Sequence, residues 1–441
     1  MPGILLAIGY TALLLWCMRR IPFFARIPGL PMRWLGGILI LKVLAGTAVW
    51  AIYTWVYTDR STADIFKYFD DSAVMFDALR ERPLDYFRMV LGVGNDTTWF
   101  TERYYMSMNN WFRQFESNLY NDAHTIIRFN AVVRIISFGE FHVHTVIAAF
   151  LSLTGMVGMY RAFVGFLKGR ERALIIAVFL LPSVLFWASG VIKESLLFFG
   201  LGMVVHQVMR MIGGRITPLG IAVLVLCAVL LFFLKFYVLL SLVPALVLYA
   251  WCRRRPKYDP WALALVVYGC ALLLVLSTPY LIPGLDILQV VAAKQQDFIG
   301  LVREMGSGSF VMPPRLEPDL LSFVKLAPYA LYITLLGPLV HATPGLLGMF
   351  AAVENVGLLL FLVVCSIHRQ RARNHHRDLL LALFLYVILL SLVIGWTSPV
   401  MGAVVRYRTP VLPFLMIWGL LLVDTERLFA RWPRLRPYLS A

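Results

Sequence analysis

The sequence predicts an all-α, polytopic helical membrane protein. The chain is 60% hydrophobic and only 15% charged, which excludes a soluble globular protein. Apolar runs of near-spanning length recur from end to end. Runs such as 217–234, TPLGIAVLVLCAVLLFFL, are apolar on every face. A β-barrel needs period-two alternation and is excluded by them.

Taken in order, the runs place spans at about 3–17, 35–57, 141–163, 172–188, 191–212, 216–234, 236–251, 261–277, 346–366, 378–396 and 405–423. That is about 11 transmembrane helices (10–12) in one integral membrane domain over 1–441. The first run is followed by Arg19 and Arg20 rather than preceded by basic residues, and so reads as a retained span. The five cysteines all fall in or beside spans, so no disulfide is expected.

The net charge of +16 sits mostly in short loops, where it sets orientation rather than binding nucleic acid. Arg19, Arg20, Arg26 and Arg33 form one cluster. Arg161, Lys168, Arg170 and Arg172 form the next; Arg210 and Arg215 follow, then Arg253, Arg254, Arg255 and Lys257. These occupy alternate loops and can all be cytoplasmic. The cluster at 368–377 and the tail arginines Arg427, Arg431, Arg434 and Arg436 join them only if 321–341 does not cross. That segment carries Lys325, Pro328, Pro338 and His341, so a re-entrant or interfacial segment is expected. The alternative is a full crossing with another weak span miscounted. The preferred layout has its N-terminus outside and its C-terminus inside.

Two large outer regions result, 58–140 and 278–345. The first holds 12 of the 24 acidic residues. In it Phe66, Phe69, Ala73, Phe76 and Leu79 recur at helical spacing, which predicts amphipathic helices along the membrane surface. Asp70, Asp71 and Asp77 read as solvated surface acids. His142 and His144, two apart, face different sides of a helix and make a poor metal pair. His341 is an outer-side histidine in an apolar setting. No cofactor motif or metal framework is found, so a divalent cation stays open as an alternative that no motif supports.

The topology gathers Asp64, Lys193, Glu194, Lys235, Arg406 and Arg408 on the outer side. Cations near membrane depth suit an anionic headgroup such as the diphosphate of a lipid carrier. An adjacent carboxylate suits a general base for a sugar hydroxyl. Each residue also has an ordinary reading. Lys193 and Glu194 fit a plain helix start, with the acid favourable to the dipole and the lysine snorkelling. Lys235 fits a snorkelling turn residue, Arg406 and Arg408 interfacial anchors, and Asp64 a solvated acid.

Three stretches, TADIFKYFDDS, LPSVLFWASGVIKESLLFFGLG and VVRYRTPVLPFLMIWGLLL, resemble segments of GT-C-type glycosyltransferases and related bacterial polysaccharide polymerases. The resemblance implies a GT-C-like fold and a polyprenyl-phosphate- or diphosphate-linked saccharide as donor. It implies work on the periplasmic face of a bacterial inner membrane, among membrane lipids and a polysaccharide-assembly complex. Asp64 and Glu194 would be the catalytic acids, with Lys193, Lys235, Arg406, Arg408 and Tyr68 binding substrate. The rival expectation is a transporter or flippase for the same lipids, or a non-catalytic subunit; the absence of internal repeats and the one-sided charges favour the enzyme.

Overall fold

The computed structural model describes residues 2–112, 120–306, 308–340, 345–370 and 376–435. His341 and Arg436 lie outside the described residues. In chain order the main helices are α1 (Pro2–Arg20), α2 (Met32–Trp55), α3 (Asp64–Glu81), α4 (Pro83–Leu91) and α5 (Ala123–Ser137). Next come α6 (Phe141–Phe163), α7 (Glu171–Phe179), α8 (Pro182–Trp187), α9 (Lys193–Ile212) and α10 (Pro218–Arg254). After them follow α11 (Pro260–Leu281), α12 (Ile287–Met305), α13 (Leu320–Leu335), α14 (Leu346–Ile367), α15 (Arg377–Thr397), α16 (Met401–Tyr407) and α17 (Leu412–Leu422).

Among the described residues eight helices are long and apolar enough to cross a membrane: α1, α2, α6, α9, α10, α11, α14 and α15. The chain is thus a helical, multi-pass membrane protein. Eleven spans were expected, and the difference has a local cause in each case. The run 172–188 is cut into α7 and α8, because Pro182 removes a backbone donor and pushes Leu181 to extended geometry (ψ 124°). The run 405–423 is cut into α16 and α17, with Pro413 in the first turn of the second piece. The two runs 216–234 and 236–251 form the single 37-residue α10, whose backbone leaves helical geometry at Lys235 (φ −153°, ψ 73°).

That break makes α10 double back. Leu231 lies against Gly200, and Gly220 lies against Gln207, so the first half runs antiparallel to α9. In the second half Leu242, Leu246 and Tyr249 line one small cavity with Val205 and Met209 of α9. Both halves therefore flank α9, and Lys235 sits at the turn, as the sequence suggests.

The basic loops gather at one end of the bundle. Arg161 donates to the Phe23 carbonyl at 3.0 Å, and Arg170 to the Val423 carbonyl at 3.1 Å. The Gln370 amide bonds the Leu422 carbonyl at 3.0 Å, and the His376 ring lies 5.3 Å from that of Phe166. The fifth and sixth basic clusters thus join the first four. Helix α13 explains the parity. It runs antiparallel to α15, with Gly395 against the Ala330 carbonyl and Thr334 Oγ1 donating to Ser391 O at 2.9 Å. It stops there, well short of the 377 end of α15.

The core is closest at α6 and α9, where Gly155 and Gly202 bring the two backbones into contact and a side chain on either would strike the other helix. The first long loop builds its own core from Tyr68, Met75, Tyr86, Met89, Phe100, Tyr105, Trp111 and Ile127, continued by Leu196 and Leu234 of the bundle. The stripe expected to face lipid is corrected here. Phe66 and Phe69 are buried and pack on Phe141, because α3 lies on protein rather than on the membrane. The exposed apolar faces belong to α4 (Leu84, Phe87, Leu91) and α5 (Val132, Ile135, Ile136).

Asp71 is corrected too: it is buried and its two oxygens each accept a backbone N–H, from Asn109 and Asn110, both at 2.8 Å.

The two ends can be told apart by labelling. In a cysteine-free background, single cysteines at 258, 369 and 427 are expected to react with an impermeant maleimide from one side of the membrane. Cysteines at 61, 96 and 280 are expected to react from the other. A mixed pattern within either set would contradict the two-ended bundle.

Candidate functional site

Four breaks in the chain meet at the end opposite the basic loops. Asp64 is the first residue of α3. Lys193 and Glu194 open α9. Lys235 is the turn of α10, and Arg406 is the last residue but one of α16. Each therefore sits where a helix starts, stops or turns, and the side chains converge.

Arg406 is the hinge of one trio. Its Nη1 lies 2.7 Å from Asp64 Oδ2, and its Nε lies 2.8 Å from Glu194 Oε1. A second trio forms beside it. Lys193 Nζ is 2.9 Å from Asp122 Oδ1, and Lys235 Nζ is 3.8 Å from Asp122 Oδ2. Each cation also has an aromatic face nearby. Lys193 stands 5.0 Å from the Tyr68 ring centroid, Lys235 4.2 Å from that of Tyr407, and Arg406 5.7 Å from that of Trp187. Such contacts strengthen as water is excluded.

Burial grades across the site. The Glu194 side chain is 1% exposed and that of Asp64 39%. Glu194 is the floor and Asp64 the mouth. Taking charges this far out of water is costly, and buried ion pairs are weak evidence for stability. Six of them converging at one end of the bundle is instead evidence for a site.

The trios differ in make-up: Arg406 stands between two carboxylates, whereas Asp122 stands between two lysines. An anion in the place of Asp122 would meet both ammonium groups. Burial pushes the Asp64 carboxyl up, but the charges of Arg406 and Lys193 and the hydrogen bond from Arg406 outweigh it, and its pKa falls below the ordinary 3.8. Burial, helped by the negative charge of Asp64, keeps Tyr68 protonated.

Six of the seven expected residues, Asp64, Tyr68, Lys193, Glu194, Lys235 and Arg406, thus come together. Arg408 does not. Two positions along a helix turn by about 200°, so Arg406 and Arg408 point apart. Arg408 is buried elsewhere, with Nη1 2.7 Å from Asn355 Oδ1 and Nη2 3.9 Å from Glu354 Oε1.

Sequence reasoning missed Asp122, which binds both lysines. It sits just before α5, and an acid ahead of a helix in a loop rich in acids carries no distinguishing signal. It also missed Lys42, a lone charge inside an apolar run, which the cost of intramembrane charge would have flagged. Lys42 is buried and donates to the Ala188 carbonyl at 2.8 Å.

Among the described residues no group of three or more His, Cys, Asp or Glu side chains comes together. Asp64 and Glu194 both direct an oxygen at a guanidinium, an arrangement that serves an arginine. His144 is held between Asn130 and Ser137 at 2.8 Å each and takes no part. Compared with family models, curated proteins and solved structures, the chain gives no match.

Removing Arg406 leaves Glu194 as an uncompensated buried charge. Arg406→Met is therefore expected to destabilise the protein by about 3–5 kcal/mol, read as melting in detergent. Asp64 gives a pH test. Its folded pKa is depressed, so its contribution is present above pH ~4 and is lost as pH falls through the lowered value. The melting difference between wild type and Asp64→Asn is expected to be flat from about pH 5 to 8 and to shrink in stronger acid. A difference that grows on acidification would contradict the assignment.

Proposed function

We propose that this protein is a membrane glycosyltransferase or polysaccharide polymerase that takes saccharide from a polyprenyl-phosphate- or diphosphate-linked donor. The reading places the reaction on the periplasmic face of a bacterial inner membrane, in cell-surface polysaccharide or glycoconjugate assembly. Orientation follows from the loop charges: the end rich in arginine is cytoplasmic, and the Asp64 end is outside. The single observation that carries the proposal is the pair of trios at that end, two lysines about one carboxylate beside two carboxylates about one guanidinium. A lipid-linked sugar phosphate needs both: cations for the leaving phosphate, and a carboxylate for the acceptor hydroxyl.

In this mechanism Lys193 and Lys235 take the donor phosphate, displacing Asp122. Asp64, at the mouth, accepts a hydrogen bond from the acceptor hydroxyl. The bond from the anomeric carbon to the phosphate oxygen breaks, and the phosphate leaves with the electron pair. The acceptor oxygen bonds to the anomeric carbon, and its proton passes to Asp64. A carboxylate held down by Arg406 is a weak base, so Asp64 first orients the hydroxyl. It gains basicity as the donor phosphate offsets the charge of Lys193, which otherwise helps hold the Asp64 pKa down. Glu194 keeps Arg406 in place throughout, and the Tyr68 face steadies Lys193. The donor carries its own activation as a phosphate ester, so no nucleotide site is required.

The test is turnover of a polyprenyl-diphosphate-linked saccharide by the full chain in proteoliposomes, with product resolved by size. Lys193→Ala, Lys235→Ala and Asp64→Asn are each expected to lower turnover by about 10²-fold or more at normal protein levels. Arg408→Gln is expected to lower turnover by less than these three, because its guanidinium bonds Asn355 and lies beside Glu354 rather than in either trio. Movement of the labelled lipid across the bilayer without any new glycosidic bond would replace this reading with transport.

A further inference from the structure

The stretch 182–195 contains a six-residue helix and a non-helical link, α8 and residues 188–192, before α9 begins. Such a piece leaves backbone groups without helical partners in a setting where water cannot supply them. The structure fills them with side chains, and with charges of the sign the helix dipole favours. At the start of α8 the Ser183 N–H donates to Glu354 Oε2 of α14 at 2.6 Å, a negative charge at the positive end. At its close Lys42 of α2 donates to the Ala188 carbonyl at 2.8 Å, a positive charge at the negative end. Beyond it Ser195 Oγ returns to the Gly190 carbonyl at 2.7 Å, and Gly46 of α2 lets that helix run against the Ser189 carbonyl.

Both charges lie within membrane-spanning helices, where insertion is costly. Neither touches the trios. Each instead holds one end of the same short helix, whose last residue, Trp187, faces Arg406, and whose continuation carries Lys193 and Glu194.

We propose that α8 is a charge-clamped strut, and that Lys42 and Glu354 are positioning residues which fix Trp187, Lys193 and Glu194 at the reaction centre. Arg408 belongs to the same device, because it lies 3.9 Å from Glu354 and ties the clamp to α16, the helix that carries Arg406. The inference rests on reading the Asp64 cluster as the reaction centre, but the strut itself has a readout that does not.

That readout is amide hydrogen exchange of the full chain in lipid nanodiscs. Lys42→Met and Glu354→Gln remove charge from opposite ends of α8. If α8 moves as one unit, each change speeds exchange across the whole of 183–188 by at least about fivefold, the scale of losing a helix cap. Exchange unchanged, or faster only beside the substituted residue, overturns the strut. Should Lys42→Met fail to fold, Lys42→Gln, which keeps an N–H donor, takes its place with a smaller expected change.

Transferase turnover is the second readout. Each single change is expected to lower it about tenfold or more, and the double variant to be no worse than the poorer single. Lys42→Arg, which restores charge and donor, is expected to recover part of the loss. Losses that multiply in the double variant, or full turnover with a loosened α8, overturn the positioning role. Full turnover of Asp64→Asn would instead remove the reaction-centre reading and leave the exchange result standing.

Discussion

One guanidinium organises this protein. Arg406 reaches Asp64 on the first long loop and Glu194 at the head of α9, so it joins three elements far apart in sequence. Without that cation the Glu194 carboxylate would be buried with its charge uncompensated, and the interior would have to open to water or protonate it. With it, the loop domain is fastened over the end of the bundle. Asp64 is then held at the mouth and Glu194 at the floor. The lysine trio lies beside this hinge because α5, which begins next to Asp122, packs on α3, the helix that begins at Asp64.

The site is made of interrupted helices. A continuous span satisfies its own backbone and leaves no polar group for chemistry. Here Pro182, Lys235 and the joint between α16 and α17 interrupt apolar runs, and Lys193, Lys235 and Arg406 lie at or near these interruptions. The freed backbone groups must find partners, and they find Glu354, Lys42 and Ser195. Stability and site geometry therefore draw on the same residues, which is why buried charges far from the trios matter to it.

Much of this architecture is legible in the chain. The apolar runs mark the helices, and the arginine-rich loops mark one end. The pair Lys193 and Glu194 at the head of an apolar run marks a helix start near the site. What misled was the assumption that an amphipathic helix in a membrane protein lies on lipid. Helix α3 has a suitable stripe, but the stripe meets Phe141 instead, and periodicity cannot say what an apolar face will cover. Arg408 was grouped with Arg406 by nearness in sequence, although the helical turn separates them. Asp122 could not be singled out among 12 acids of one loop.

The sequence by itself determined that this is a helical membrane protein with one basic end and a cluster of charges at the other. Hydropathy and charge act locally, residue by residue, against lipid and water, so they can be read without a fold. Tertiary structure alone decided which opposite charges pair, which acid serves two lysines, and which arginine belongs to the site. Those choices depend on distances of 2.7 to 3.8 Å between side chains as far as 342 residues apart. The strength of an ion pair depends on separation and on how far water is excluded, and only the packed bundle sets both.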